Sequence, residues 1–398
     1  MICMAEQNKS DKSTSMGREG RNQSGLRDYN VRKILSLIRK NGSLPKAKIA
    51  KSTGLSAQAV TVITNELLED ALITKMVAKK GKVGKPIEPL TINPDGAFSI
   101  GLKVDRRNFE LTLIDFSGHV RASLSENCAY PTVAAMLSFV KRASSAITMS
   151  LSDELKSRVK GLGVATPYQI WHWAEEAGAP QSVMLEWQDF DFEKKLTEQL
   201  NLPVYLSNDD SAACSAELCF GDAQQYRHFL YMHIGPFIGG GVVLDGRLFG
   251  GKSGNAGAIG SLPLGLKRTN GGQLITQASL YLLENKLKQA GISTERLYYA
   301  NASWQGFDDI LSDWIAQVSE ALAYAALNAT AILDLQAIII DGQLPQPVKQ
   351  TLVEQTQQIY QQADTRGLTG IEFCAGTLGY QAQTIGSANL PLLARYYD

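Results

Sequence analysis

Long hydrophobic runs are missing from this 398-residue chain. No stretch reaches the roughly 20 apolar residues a membrane-spanning helix needs, and the N-terminus has no apolar core of a secretory signal. Membrane and secreted classes are set aside, and a cytoplasmic protein is expected. Cysteine is scarce: Cys3, Cys128, Cys214, Cys219 and Cys374 are scattered, and the one near pair, Cys214 and Cys219, fits no common zinc spacing. They read as reduced structural thiols. The four histidines (His119, His172, His228, His233) form no i, i+4 ligand pair. No metal and no cofactor are expected. Net charge is absent too, with 39 basic residues against 39 acidic.

That neutrality hides a segregation. Residues 1–100 hold 17 Lys+Arg against 9 Asp+Glu, and residues 101–398 hold 22 against 30. A basic N-terminal module on an acidic body is the electrostatic footprint of nucleic-acid binding by one end. The local pattern agrees. A helix is predicted over about Lys46–Thr53, stopped by Gly54. Ser56 then sits at an N-cap position, and a longer helix runs to about Asp70. Pro45 stands where a Ser-type cap would normally open the first of these helices. Val60, Ile63 and Leu67 form a core stripe. Gln58, Thr61 and Asn65 fall on another face, with side chains able to reach base edges in a major groove. The pattern is a helix-turn-helix; its bland alternative is an αα-hairpin with a polar solvent face.

The next segment, Lys75 to Lys85, carries Lys79, Lys80 and Lys82 besides its two end lysines and has no acid. Flanked by Met76, Val77, Pro86, Ile87, Leu90 and Ile92, it reads as a β-hairpin wing with a basic tip suited to phosphate contacts. A solvated charged loop is the alternative, which the charge segregation disfavours. An earlier helix is expected from Asn30 to Ile38. The candidate DNA-binding residues are Ser56, Gln58, Thr61, Asn65, Lys79, Lys80, Lys82 and Lys85.

Length and a 44% hydrophobic content fit two or three domains with a sizeable core. Residues 1–24 are polar and read as a disordered tail, with Met4 and Met16 as candidate starts. A winged helix-turn-helix is assigned to 25–95. Strands are then expected at Phe98–Lys103, Phe109–Asp115 and Val120–Leu124, a helix at about 132–150, and strands at 161–165 and 204–206. A second meander begins at Phe229 and includes an Asp245-Gly246 hairpin turn. A long helix at about 307–333, a strand at 337–340 and a helix after Gly386 close the chain. A meander followed by α/β units occurs twice, which predicts two similar lobes with a cleft between them, a favoured ligand position.

Residues 234–241 (IGPFIGGG), Asp245-Gly246-Arg247-Leu248 and residues 250–260 (GGKSGNAGAIG) closely resemble the ROK family of bacterial sugar kinases and sugar-responsive repressors. So do residues 202–217 (LPVYLSNDDSAACSAE), residues 386–394 (GSANLPLLA) and Gly84-Lys85-Pro86. The resemblance covers nearly the whole chain. It implies an α/β fold with an N-terminal winged helix-turn-helix followed by a two-lobed, actin-like (ribonuclease-H-like) ROK domain over 96–398. Lobe one is expected at about 96–220 plus the C-terminal helix, and lobe two at about 221–385.

The resemblance also shows what has been lost. Asp209 stands at the position of the family's catalytic base and Asn208 at that of a sugar-binding Asn; both are ligand candidates, with Asp209 a vestigial base. Its bland alternative is a strand-end residue kept for hydrogen bonding. The family's first phosphate hairpin, Asp-x-Gly-Gly-Thr, reads Lys103-Val104-Asp105-Arg106-Arg107 here. A Gly-Gly step lets backbone N–H groups approach phosphate, and side chains in its place obstruct that approach. Gly235-Pro236-Phe237 replaces Gly-Thr-Gly, and the adenosine-side turn is Asp341-Gly342-Gln343. In the sugar and zinc segments, Ala258, Ser261 and Ile275 stand for Glu, His and Glu, and residues 266–275 contain no Cys. No structural zinc is expected.

These features predict a transcriptional regulator, a repressor of carbohydrate-related genes without kinase activity. Its partners are a double-stranded DNA operator, a sugar or sugar-derivative effector, and a second copy in a homodimer or higher homo-oligomer. Two alternatives stand beside it: a ROK regulator controlled by a protein partner or by no effector, and an active sugar kinase carrying a DNA-binding domain.

Overall fold

The computed structural model describes residues 23–77, 88–172, 174, 178–265, 272–299 and 302–397. The tail over 1–22, the wing tip with Lys79, Lys80, Lys82 and the Gly84-Lys85-Pro86 element, and residues 266–271 lie outside the described residues.

Three helices open the structure: α1 (Gln23–Asn41), α2 (Lys46–Thr53) and α3 (Ala57–Glu69). Helix α1 starts seven residues before the first expected position and takes in Gln23 and Ser24 of the expected tail. Its early turns are exposed and tied by an Arg27–Glu66 ion pair of 2.6 Å, so apolar periodicity did not mark them. Pro45 occupies the cap position of α2 and makes no side-chain cap bond. Gly54 ends α2 at φ 74°, and the Ser56 side chain accepts the Ala59 N–H at 3.1 Å to start α3.

Strand β1 (Ile73–Lys75) pairs antiparallel with β2 (Leu90–Ile92), and Leu44 bridges to Leu90. This is the base of a winged helix. Its arms lie further from the tip than the sequence suggested: Val77 is 90% exposed, whereas Ile73, Leu90 and Ile92 are buried with Ile34, Ile49, Val60 and Leu67.

The body contains two five-stranded sheets of the same topology. In the first, β3 (Phe98–Val104), β4 (Asn108–Asp115) and β5 (Val120–Asn127) form an antiparallel meander. Strands β6 (Val159–Thr166) and β7 (Val204–Asn208) add in parallel beside β3, giving the order β5-β4-β3-β6-β7. In the second, β8 (Phe229–Ile234), β9 (Ile238–Leu244) and β10 (Arg247–Phe249) form the meander. Strands β11 (Ala337–Gly342) and β12 (Glu372–Ala375) follow in parallel beside β8, in the order β10-β9-β8-β11-β12. The repeated lobe predicted from the sequence is present. Strand β12, too short and half-polar for its pattern to show, had been missed.

The main helices of the body are α4 (Val133–Ile147), α5 (Phe192–Leu200), α6 (Asp209–Phe220), α7 (Leu280–Gln289), α8 (Asp308–Leu333), α9 (Gln346–Gln362) and α10 (Ala382–Tyr396). Helix α10 begins before Gly386 rather than after it. Its backbone lies directly on the first sheet and on α6. A Cβ on Gly163 of β6 would run into the Ser387 carbonyl, and one on Gly386 would run into the Ala212 carbonyl. Glycine is needed at both places because two backbones meet there.

The end of α10 also holds the winged helix. Leu392, Tyr396 and Tyr397 belong to the same apolar cluster as Ile34, Ile38 and Leu67. Tyr397 stacks on Phe116 at 5.3 Å, donates its hydroxyl to the Phe116 carbonyl at 3.1 Å, and lies under the Arg39 guanidinium at 3.6 Å. Truncating a buried aromatic of this kind costs about 3 kcal/mol or more, whereas deleting one hydrogen bond costs about 1 kcal/mol. Urea unfolding should therefore rank wild type above Tyr397→Phe, and Tyr397→Phe well above Tyr397→Ala.

Candidate nucleic-acid interface and ligand cleft

On α3 the apolar stripe Val60, Ile63 and Leu67 is buried together with Thr64, as helical spacing requires. Ser56, Gln58, Thr61 and Asn65 are exposed. The structure adds Val62, 52% exposed, between Thr61 and Asn65. Positions 58, 61, 62 and 65 form one outward stripe, and an apolar member of it suits the methyl group of thymine. The i, i+3, i+4, i+7 spacing of the four could have found Val62.

Thr61 donates its hydroxyl to the Ala57 carbonyl, while Lys46 donates to Asn65 Oδ1 at 2.9 Å and so orients that amide. Lys46 is held below its usual lysine range by burial and by the nearby Lys75 charge. Lys75 itself pairs with Glu88 at 3.2 Å, so Lys46 is the cation set directly against the reading stripe. Neither was among the candidate DNA-binding residues, although Lys46 opens the first helix of the motif and Lys75 begins the basic segment that follows it.

The second site lies between the lobes. A cleft of about 960 Å³, its open mouth included, is lined from both sides. Its floor is the junction of β7 and α6. Asn208 caps α6, its Oδ1 accepting from the N–H groups of Asp210 and Ser211, both at 3.1 Å. Asp209 and Asp210 follow on the first turn, and Gln383 of α10 donates to both, at 3.3 Å to Asp209 and 3.0 Å to Asp210. His233 Nδ1 lies 2.9 Å from Asp210 Oδ1, off the line of a good hydrogen bond. Burial, with the charges of Asp210 and Asp105 beside it, pushes the Asp209 carboxyl well above the usual carboxylate range.

The phosphate-side elements are filled by the chain itself. The β3–β4 turn carries Arg106 and the β8–β9 turn carries Phe237, and the guanidinium lies over the ring at 4.4 Å. The two hairpin tips thus touch. Lys103, 5% exposed, pairs with Asp105 at 3.2 Å; burial opposes its charge, but Asp105 and Glu110 hold it above the usual lysine range. At the third element, the buried Asp341 accepts from Lys349 at 2.7 Å and from the Tyr231 hydroxyl at 3.0 Å. The glycine run of β9 serves packing as well: a Cβ on Gly239 would strike the Asp210 carboxylate, and one on Gly241 would press on Cys214 of α6.

The sugar-side positions Ala258, Ser261 and Ile275 line the same cleft, with Met184, Ile170 and Tyr168 from the other lobe. Among the described residues four cysteines are unpaired, no helix is long and apolar enough to cross a membrane, and no three His, Cys, Asp or Glu side chains cluster as a metal site.

A model of the ROK family matches residues 99–392, and one for winged helix-turn-helix DNA-binding matches residues 27–74. The xylose repressor of Bacillus subtilis (strain 168) is 24% identical over 61% of this chain and 62% of its own length. The DNA-binding transcriptional dual regulator NagC of Escherichia coli (strain K12) is 24% identical over 94% of this chain and 90% of its own length. The crystal structure of a ROK family transcriptional regulator, a homolog of the E. coli MLC protein, superposes with a TM-score of 0.69 at 21% identity. It covers 93% of this chain and 97% of that one.

The raised Asp209 carboxyl makes a stability prediction with a definite sign. An unfolded Asp titrates near pH 4. Above that, the folded chain retains a proton that the unfolded chain releases, so this group's contribution falls as pH rises. Asp209→Asn removes that penalty. Its melting temperature should exceed wild type at pH 8, and the difference should close near pH 4.

Proposed function

The chain belongs to the ROK family, and on that footing we propose that it is a DNA-binding transcriptional repressor of carbohydrate-related genes. The observation that carries this reading is a capped, outward-facing helix α3 on a winged helix, joined to a sugar-kinase-like body whose phosphate elements are filled. Its relatives of similar build are named as repressors and regulators. Gln58, Thr61, Val62 and Asn65 are assigned to base edges. Ser56 is placed at the helix entry. Lys79, Lys80, Lys82 and Lys85 of the wing are assigned to phosphates, with Lys46 and Lys75 beside them. Two copies on a two-fold axis would read a pseudo-palindrome.

The body is proposed to bind a small-molecule effector at Asn208, Asp209 and Gln383 and to have no kinase activity. Phosphoryl transfer needs a cradle for nucleotide phosphates. Here the contact between Arg106 and Phe237 and the Asp341–Lys349 pair stand in its place. A second reading, control by a protein partner or by no effector, draws on Ala258, Ser261 and Ile275 in the cleft wall.

Gln58→Ala should weaken operator binding by about 1–3 kcal/mol and leave non-specific binding unchanged. Lys80→Ala should weaken both and lower the salt slope by about one. Fluorescence anisotropy on operator and scrambled duplexes across a salt series separates the two, and wild-type behaviour of both variants would remove the DNA-binding assignment. In a coupled assay, ATP consumption should not respond to any hexose or pentose. Sugar-dependent consumption abolished by Asp209→Asn would restore the kinase reading.

A further inference from the structure

The cleft has two chemistries, and they are not mixed evenly. Four hydrogen-bonding side chains, Asn208, Asp209, Asp210 and Gln383, meet on the floor at the start of α6, and Asn255 and Ser261 add two more on the opposite lobe. Asn208 uses its oxygen to cap the helix, which leaves its amide nitrogen without a protein partner among the described residues. The walls are largely apolar: Tyr168, Ile170 and Met184 on one side, Phe237, Ile238 and Ile275 on the other. Tyr168 is 40% exposed at the lining, an aromatic surface of the kind that stacks against a flat ligand.

The charges restrict the ligand further. Asp105, Asp209 and Asp210 bring three carboxyl groups to the cleft. Among the described residues, Arg106 at the lining lies over Phe237, and Lys103 behind it is paired with Asp105. A phosphate or carboxylate entering here would meet three acidic groups and, among the described residues, cations already paired, and burying an uncompensated charge is costly. A free sugar would satisfy the floor but leave its hydroxyls facing apolar walls, each unmade hydrogen bond costing about 1–3 kcal/mol. A molecule with hydroxyls at one end and an apolar group at the other matches both parts.

We propose that the cleft binds a neutral glycoside with an aromatic or apolar aglycone. Its sugar hydroxyls face Asn208, Asp209 and Gln383, and its aglycone covers the Phe237, Met184 and Ile275 walls. The inference rests on the effector-binding reading above and narrows it to one ligand class. The bare sugar, its phosphate ester and its carboxylic acid are the disfavoured forms.

The test uses the full-length protein and calorimetric titration. The probes are phenyl α- and β-glycosides of xylose, glucose, galactose and N-acetylglucosamine, beside the parent sugars and their phosphates. At least one phenyl glycoside should bind tenfold or more tightly than its parent sugar, with no measurable binding of the phosphate. Phe237→Ala should reduce that preference to within about threefold while the circular dichroism and operator affinity stay at wild-type values. A parent sugar or sugar phosphate that binds as tightly as its phenyl glycoside overturns the ligand class. So does an unchanged aryl preference in Phe237→Ala, or the failure of every compound to bind. Operator binding is measured on the same preparation. Its loss would sink the repressor reading, whereas intact operator binding beside any of those failures would sink the ligand class alone.

Discussion

The body is organised around the seating of α10. This helix reaches the first sheet and α6 by backbone, at points where Gly163 and Gly386 allow no side chain. Close backbone approach leaves no slack: a packed interior tolerates little added volume. Ser99 adds a hydroxyl bond to the Ala388 carbonyl, and Thr384 donates to Glu110 on β4 at 3.0 Å. One end of the helix presents Gln383 to the cleft floor, and the other supplies Leu392, Tyr396 and the adjoining Tyr397 to the winged-helix core. Helix α10 thus links the N-terminal module to the cleft floor, beside Ile114 of β4, the adjoining Phe116 and the Lys40 bond to the Gln224 carbonyl.

The cleft keeps the two-lobed architecture while its hairpin tips and turns carry internal contacts. Filling each phosphate-side position with an internal partner satisfies groups that would otherwise be orphaned. Lys349 illustrates the cost structure. It is 3% exposed, and its ammonium bonds to both Asp341 and the Gly376 carbonyl. Breaking such a pair strands a buried charge, whereas exchanging both partners for apolar groups is often neutral. The same logic explains the glycine run of β9. Its conformational freedom need not serve a phosphate, because Gly239 and Gly241 make room for Asp210 and Cys214.

The fold was legible where periodicity and turn chemistry agree. Gly54 and Ser56 marked the helix-turn-helix junction, and the two meanders announced the duplicated lobe. Legibility failed where the determinant is not local. The early turns of α1 and strand β12 carry no apolar pattern of their own. Helix α10 begins before Gly386, which sequence reasoning took for a boundary and which is instead a contact point. In the cleft, the residues that differ from the family pattern could be read directly. Gln383 could not, because its role comes from a contact 174 residues away in sequence. Val62 was hidden by its apolar character, which suggests a core position until the helix is set on its neighbours. The contact between Arg106 and Phe237 was likewise invisible, since the two turns belong to different sheets.

A ligand in the cleft can alter DNA binding only by its differential affinity for two arrangements of the chain. The structure limits what those arrangements can be. A movement confined to loops would leave α10, and hence the winged helix, where it is. A change felt at Gln383 is transmitted to a rigid helix that packs on a sheet with no spare volume. At its far end it meets Arg39, Phe116 and the buried core of α1 to α3. Packed elements of this kind shift between discrete seatings rather than deform smoothly. On the effector-binding reading proposed above, the α10 seat is the element that a ligand would bias. On that reading, a hydroxyl-bearing ligand would compete for the hydrogen bonds from Gln383 to the two carboxyls.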